Sequence, residues 1–422
     1  MKVTNCKYLI LGGGVSGLMF ANQRKNEDVL LVEKEGEFGG YCRTIYQDGY
    51  VWDYAGHFFH FSNEKIKHFF EQKINADQLV IKEKCTKIFF KDKLIDFPFQ
   101  ANIHQLEKQD FINCLYDLYF REENECENYK SFLDMLYGKF GKSITDIFLK
   151  PYNEKLYACD LNNLDQDAMG RFFPYANFEQ IVKGFKENYR GSYNSTFLYP
   201  KRGAKVFIDA LVEDLPKNIM SVNEEVLSIS VREKYVITNK RKIFFDSLIN
   251  TIPFGVFLNM IVDLDCSHVI SDLSWNKVLV LNMGFDKNTK YSDIHWAYFP
   301  EKEYNFYRVG FYNNILNDER LSLYVEIGYS ESDDIDVQAE LHKTIVGLKK
   351  VGIINEHKLV SFSSIVMNPA YVHINNKLDK IKNTIKKELS DFNVYTIGRY
   401  GDWKYCSIED SMIDAINLAK EI

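Results

Sequence analysis

The 422-residue chain has only eight prolines and four tryptophans, with no CxxC pair, no internal repeat and no low-complexity tract. No Pro/Gly-rich linker separates one stretch from the next, so one interleaved scaffold with excursions is expected rather than domains strung in a row. Eight cysteines (Cys6, Cys42, Cys85, Cys114, Cys126, Cys159, Cys266 and Cys406) follow no ladder spacing and read as reduced thiols. No apolar run approaches the ~20 residues needed to span a bilayer. The first one, "YLIL", gives way at once to glycines rather than to a cleavage site, as a buried strand would. Positive charge is not in excess either. The formal net charge is −7, which argues against nucleic acid and anionic membrane as partners. An anionic ligand would need a few placed arginines. A cytoplasmic protein without membrane insertion is expected.

What the chain has in quantity is aromatic: 27 tyrosines and 32 phenylalanines, suited to cores and to a pocket that handles flat rings. With 46% hydrophobic and 26% charged residues it can bury a substantial core shared by two or three sub-domains. "KYLILGGGVSGLMFANQ" reads as strand, glycine turn and helix, and "DVLLVEKE" as a second buried strand ending in an acid. Residues 62 to 200 read mostly as helix, from stretches such as "NYKSFLDMLYGKFG" and "SITDIFLKPYNEKLYA". "YPKRGAKVFIDALVEDLP" is a turn into a helix stopped by Pro216, and residues 220 to 252 alternate as short strands. Further strands are expected in "KVLVLNMGF", "IHWAYFP", "NFYRVGF" and "LSLYVEIGY". A helix over "DVQAELHKTIVGLKKVG", the strand "NVYTIG" and a final helix "SMIDAINLAKEI" close the chain.

Gly12, Gly14 and Gly17 form G-x-G-x-x-G between strand and helix. The spacing gives a tight turn, close approach of the backbone to a pyrophosphate, and close helix–strand packing. Unpaired N–H groups of the helix start, with Ser16 beside them, face the phosphates. Glu33, at the end of the second strand, is placed to take ribose hydroxyls. "EKEGEFGGYCRT", with Gly40 and Arg43, resembles the second signature of glutathione-reductase-like flavoproteins and favours FAD over NAD. "NEEVLSIS" around Val226 resembles their adenine-edge strand, and Gly398 before a helix carrying Asp410 and Ser411 resembles their C-terminal return to the flavin.

"WDYAGHFFHF", "DFPFQANI", "KPYNEKLYA", "YPKRGA", "WAYFPEKEYNFYRV" and "GRYGDWKY" occur in an order and spacing that resemble the UDP-galactopyranose mutases, the eukaryotic type above all, over nearly the whole chain. The resemblance implies interconversion of pyranose and furanose forms of a UDP-sugar on reduced FAD with no net redox. Flavin N5 attacks the anomeric carbon, UDP leaves, and the adduct recloses as the smaller ring. It makes Arg308 and Arg399 the diphosphate arginines, with Tyr298, Tyr371 and Tyr405 donating hydroxyls to the same phosphates. Gly56 and His57 are carried over as the loop beside the isoalloxazine, and Phe97 and Gln100 as the base pocket. Asn153, Tyr157, Arg171 and Asn194 match polar or aromatic positions near the sugar and flavin. Three departures stand out. Phe97 stands where the family usually has tyrosine, Tyr157 where eukaryotic members carry tryptophan, and Glu409 with Asp410 replaces two amides, which leaves open a sugar other than galactose.

The expected fold class is α/β. Residues 1–62, 201–255 and 390–422 would form a discontinuous Rossmann-like FAD-binding domain. Residues 63–200 would be a mainly helical insertion with nucleotide-binding residues, and 256–389 an antiparallel β-sheet substrate domain. The expected partner is a UDP- or dTDP-sugar. NAD(P)H as reductant, a homodimer or higher oligomer, and a net FAD-dependent oxidoreductase of the amine oxidase or protoporphyrinogen oxidase type remain open alternatives.

Overall fold

The computed structural model describes residues 2–121, 128–186 and 195–422. Its first sheet grows from β1 (Lys2–Leu11), whose second half, Tyr8 to Leu11, is buried on both faces. Such a run demands cover on two sides, which a parallel sheet between helix layers supplies. After α1 (Val15–Gln23), β2 (Val29–Val32) pairs parallel with β1 from Tyr8↔Val29 to Leu11↔Val32. On its other side β1 pairs parallel with the strand Arg241–Asn250, ending at Leu11↔Asn250. That strand also takes the strand Val394–Thr396 in parallel and the hairpin Val226–Ser230 with Tyr235–Thr238. α1 and the helices Lys205–Val212 and Ile408–Glu421 cover one face through Leu18, Phe207 and Met412. Helices Phe254–Asn259, Ser267–Ile270 and Asn376–Ser390 cover the other. Ligands bind beyond the C-terminal ends of the strands in such sheets, here those of β1 and β2.

A second seven-stranded sheet runs in the order Leu359–Met367, Asn276–Phe285, Ser322–Ser330, Arg308–Phe311, Trp296–Tyr298, Thr86–Phe90 and Lys93–Asp96. Period-two alternation splits it cleanly. Leu279, Leu281, Val309, Leu323 and Val325 pack on one face with Leu348 of the helix Val337–Lys350. Val278, Val280, Trp296 and Tyr324 lie on the other with Trp52 and Tyr199. A helical layer, including Lys108–Tyr119, Phe132–Ile144 and Lys150–Tyr157, closes a third core around Phe99, Leu136 and Phe148. The fold is the α/β architecture expected.

Three details differ from expectation. Residues 62–200 are not mostly helical at their start. Leu79–Glu83 is a strand, and Thr86–Phe90 turns into Lys93–Asp96 through Lys91 and Asp92, both at positive φ. The domain boundaries interleave as well, because this hairpin completes the second sheet through Trp296↔Thr86 while the helix Asn376–Ser390 packs on the first. The strand Leu359–Met367 and that last helix were not anticipated. Lys382, buried beneath the carbonyl of Trp403, interrupts the stripe Leu378, Ile385, Leu389 that would have announced the helix. Among the described residues no helix is long and apolar enough to cross a membrane, and the seven described cysteines are free.

Candidate active site

A Cβ on Gly17 would stand 2.1 Å from the carbonyl oxygen of Gly12, so only glycine lets α1 leave β1 at this angle. Gly14 is the N-cap of α1, no side chain caps the first turn, and a Cβ there would meet nothing within 4 Å. The N–H groups of the first turn of α1 are thus open to an anion. The loop of Gly40 approaches the Cα of Gly14, and Arg43 donates from Nε to the Gly40 carbonyl at 2.8 Å while its guanidinium lies 4.6 Å from the Tyr54 ring centre. Gly398 abuts Ser16. Three stretches of the sequence, around Gly14, Gly40 and Gly398, therefore meet at the end of β1.

Glu33 is more constrained than expected. Its carboxylate accepts from the N–H of Gly13 at 2.7 Å and of Glu35 at 2.9 Å. An ionised carboxylate has about four acceptor positions, so two stay available to ribose hydroxyls. Val226 lies two residues beyond Glu224, whose N–H donates to the Glu33 carbonyl at 2.8 Å. Ser411 and Asp410 sit in the first turn of the helix Ile408–Glu421, where Asp410 Oδ2 accepts from the N–H and Oγ of Ser407 in a capping box.

Arg399 sits in the short turn Gly398–Gly401, walled by aromatic rings. Its guanidinium lies 4.7 Å from the Tyr405 ring centre and 5.3 Å from that of Tyr371, and those two rings stack at 5.9 Å and 18°. Its Nη1 donates to the Cys406 carbonyl at 3.1 Å, and among the described residues no ion pair includes it. The obvious rival partner, Asp402, is bound instead by Lys386 and Lys404. Arg308 differs from expectation. It pairs through Nη2 with Glu326, whose other oxygen accepts from the Tyr307 hydroxyl at 2.6 Å, while its own Nε is buried without a protein partner. Tyr298 lies one strand over in register with Arg308, and its hydroxyl accepts from Trp296 at 3.1 Å. Burial pushes the phenols of Tyr298 and Tyr371 above their ordinary range, so both stay protonated donors.

His57 is pushed down to about 4, first by burial and then by the positive charges of Arg308 and Arg399, against one backbone hydrogen bond at Ala55. Both arginines therefore bear on one neutral imidazole, and its Nδ1 has no protein partner. Between pH 6.5 and about 4 the unfolded chain binds this proton and the folded chain does not, so His57 makes stability fall as pH falls through that window. His57→Asn is expected to flatten the acid limb of a melting-temperature profile between pH 6.5 and 4. An unchanged profile would place the ring in solvent.

Gln100 and Asn153 are fully or almost fully buried, and each keeps one side-chain oxygen unpartnered, as does the hydroxyl of Tyr157. Gln100 donates to the Pro174 carbonyl and Asn153 to Leu149 at 2.6 Å. Phe97 packs 5.3 Å from Tyr298, and Tyr157 5.9 Å from Tyr371, so the expected base and sugar positions border the arginine–tyrosine cluster. Asn194 lies outside the described residues.

Glu409 and Asp410, the acids that stand in place of two amides, are both held by protein groups. Glu409 is buried, accepting at 2.7 Å from the N–H groups of Ser62 and Asn63. Asp410 binds Arg171 at 2.6 Å, so these two residues, assigned separately to cofactor and substrate, neutralise one another. With Phe172, Lys404 and Tyr405 they line a cavity of about 320 Å³ at the edge of the cluster. Sequence reasoning missed Glu326, Tyr307 and Tyr324. Glu326 was legible only through register, since it faces Arg308 across adjacent strands.

A family model for an NAD(P)-binding Rossmann-like domain matches residues 10–72. The chain is similar to a reduced UDP-galactopyranose mutase at a TM-score of 0.91 and 23% identity, over 99% of this chain and 93% of that one. It is similar to a provisionally assigned protoporphyrinogen oxidase from Exiguobacterium sp. 255-15 at a TM-score of 0.78 and 15% identity, over 100% and 99% of the two chains. A CLA-producing fatty acid isomerase from P. acnes follows at 0.68 and 12%, over 99% and 98%. At these identities the likeness is one of fold, and the chain shares that fold over essentially its full length.

Proposed function

We propose that this protein is a flavin-dependent nucleotide-sugar mutase, interconverting pyranose and furanose forms of UDP-galactose or a related sugar. The observation that carries the proposal is Arg399, a cation walled by tyrosines that pairs with no carboxylate among the described residues. A half-buried cation in that state calls for an anionic ligand, and the phosphates of a nucleotide supply one. The cradle at Gly12–Gly17, Gly40 and Gly398, with the carboxylate of Glu33, suits the pyrophosphate and ribose of FAD. When bound and reduced, FAD would supply the electron-rich centre that meets the anomeric carbon.

The protein's own part is positioning and charge. Arg399 and the free Nε of Arg308 would face the departing diphosphate, and Tyr371, Tyr298 and Tyr405 add hydroxyls beside them. Gln100 offers an amide to a pyrimidine edge and Phe97 a stacking face. His57, held neutral, keeps the Gly56 loop in place without adding a charge. With Glu409 tied to the backbone and Asp410 neutralised by Arg171, no new carboxylate is offered to the sugar, which keeps galactose among the candidates.

Dithionite-reduced protein is expected to convert a UDP- or dTDP-hexopyranose into its furanose isomer, resolved by chromatography, while oxidised protein does not. The fold is also shared, at a TM-score of 0.78, by a protein provisionally assigned as a protoporphyrinogen oxidase, so the rival outcome is specific. Peroxide release with an amine or porphyrinogen, and no isomer, would make the protein a net oxidoreductase.

A further inference from the structure

Tyr324 is fully buried, yet its hydroxyl has no protein partner. Its position follows from strand register. It stands opposite Gly310 on one side and Asn282 on the other, on the face that carries Arg308 and Glu326 two residues along each strand. Gly310 presents no side chain, so the ring lies across it; a Cβ there would fall 1.8 Å from Cε1. The hydroxyl reaches the turn before His57, where a Cβ on Gly56 would fall 2.3 Å from it. The Arg308 guanidinium lies 5.4 Å from the centre of the same ring. Three buried groups lacking a protein partner, the Tyr324 hydroxyl, His57 Nδ1 and Arg308 Nε, thus belong to one corner of the cleft. A buried polar group left unpaired is costly, so three such groups together point to a ligand that satisfies them.

We propose that Tyr324 is a further cofactor-contacting residue, whose hydroxyl donates a hydrogen bond to the acceptor edge of the flavin ring at the Gly56 turn. The proposal rests on the cofactor assignment above. Burial holds the phenol well above its ordinary range, so the group is a donor at any working pH. A donor at that edge favours the more electron-rich reduced ring over the oxidised one. Tyr324 also links the flavin to the substrate cation, because its ring face supports Arg308.

The test replaces only the hydroxyl. Tyr324→Phe keeps the ring that Gly56 and Gly310 accommodate. Apoprotein titrated with FAD is expected to bind the oxidised cofactor about fivefold more weakly. Reduced FAD is expected to lose about a further fivefold, a shift of the two-electron midpoint potential by about 20 mV to more negative values. Unchanged affinity and potential in a folded variant would overturn the proposal and leave Tyr324 a packing residue. Should the variant not accumulate, 3-fluorotyrosine at position 324 of the holoenzyme gives the second measurement. Its fluorine resonance is expected to move between oxidised and reduced flavin, and a stationary signal would equally overturn the contact. Both readouts concern flavin, not sugar. A protein that binds FAD with the expected Tyr324 effects but isomerises nothing would sink the mutase function alone, and one that binds no FAD would sink the cofactor assignment.

Discussion

Arg399→Ala is expected to leave the protein yellow with bound flavin and to weaken UDP binding by at least ~2 kcal/mol, about thirtyfold in Kd. The size follows from the surroundings. The guanidinium is enclosed by Tyr371, Tyr400 and Tyr405, so a bound diphosphate would meet it away from bulk water. Removing it leaves the ligand's charge facing neutral phenols. Arg399→Lys keeps the charge but loses the planar fork that grips two oxygens, and should fall between the two. The same change at Arg308 is a poorer probe. It would strand Glu326, which is 2% exposed, and breaking such a pair destabilises the fold by ~3–5 kcal/mol whatever the ligand. Calorimetric titration with UDP checks the expectation. Wild-type affinity in the alanine variant would remove Arg399 from the site, and the proposed function would lose its main support.

Gly398→Ala is expected to yield folded but largely colourless protein. Gly398 has φ of +80°, a conformation that costs other residues ~1–3 kcal/mol, and an added Cβ would stand 2.1 Å from Ser16 Oγ. The turn that carries Arg399 must then move off the first turn of α1, where the pyrophosphate would lie. Because Ser16 is the obstacle, Ser16→Gly in the same chain should recover part of the flavin content, leaving only the backbone strain. Absorbance at flavin and protein wavelengths, with a melting curve to confirm folding, decides it. Full flavin content in the single variant would show that the turn does not bear on the cofactor.

Local chemistry with a fixed spacing was the legible part of this molecule. The glycines at 12, 14 and 17 must lie between strand and helix, and Arg399 between two glycines announced a tight turn among aromatics. Cross-strand partners were a different matter. Glu326 and Tyr324 carry no motif, and their neighbours Arg308 and Gly310 are known only once two strands are placed in register. The surroundings of Glu409 and Asp410 were illegible for a related reason. A sequence position says that a carboxylate is present but not which way it turns, and these two turn to Ser62, Asn63 and Arg171. The hairpin Thr86–Phe90 with Lys93–Asp96 was missed because helical periodicity in its longer neighbours outweighed two strands of five and four residues.

The partnership of β1 with the strand Arg241–Asn250 sets a timetable for synthesis. β1 leaves the ribosome well before its neighbour across Leu11↔Asn250. At the usual ~5–20 residues per second, roughly ten seconds or more separate the two. Throughout that interval one edge of β1 is exposed and sticky, so a nascent chain stalled short of residue 250 is the species a holdase would be expected to meet.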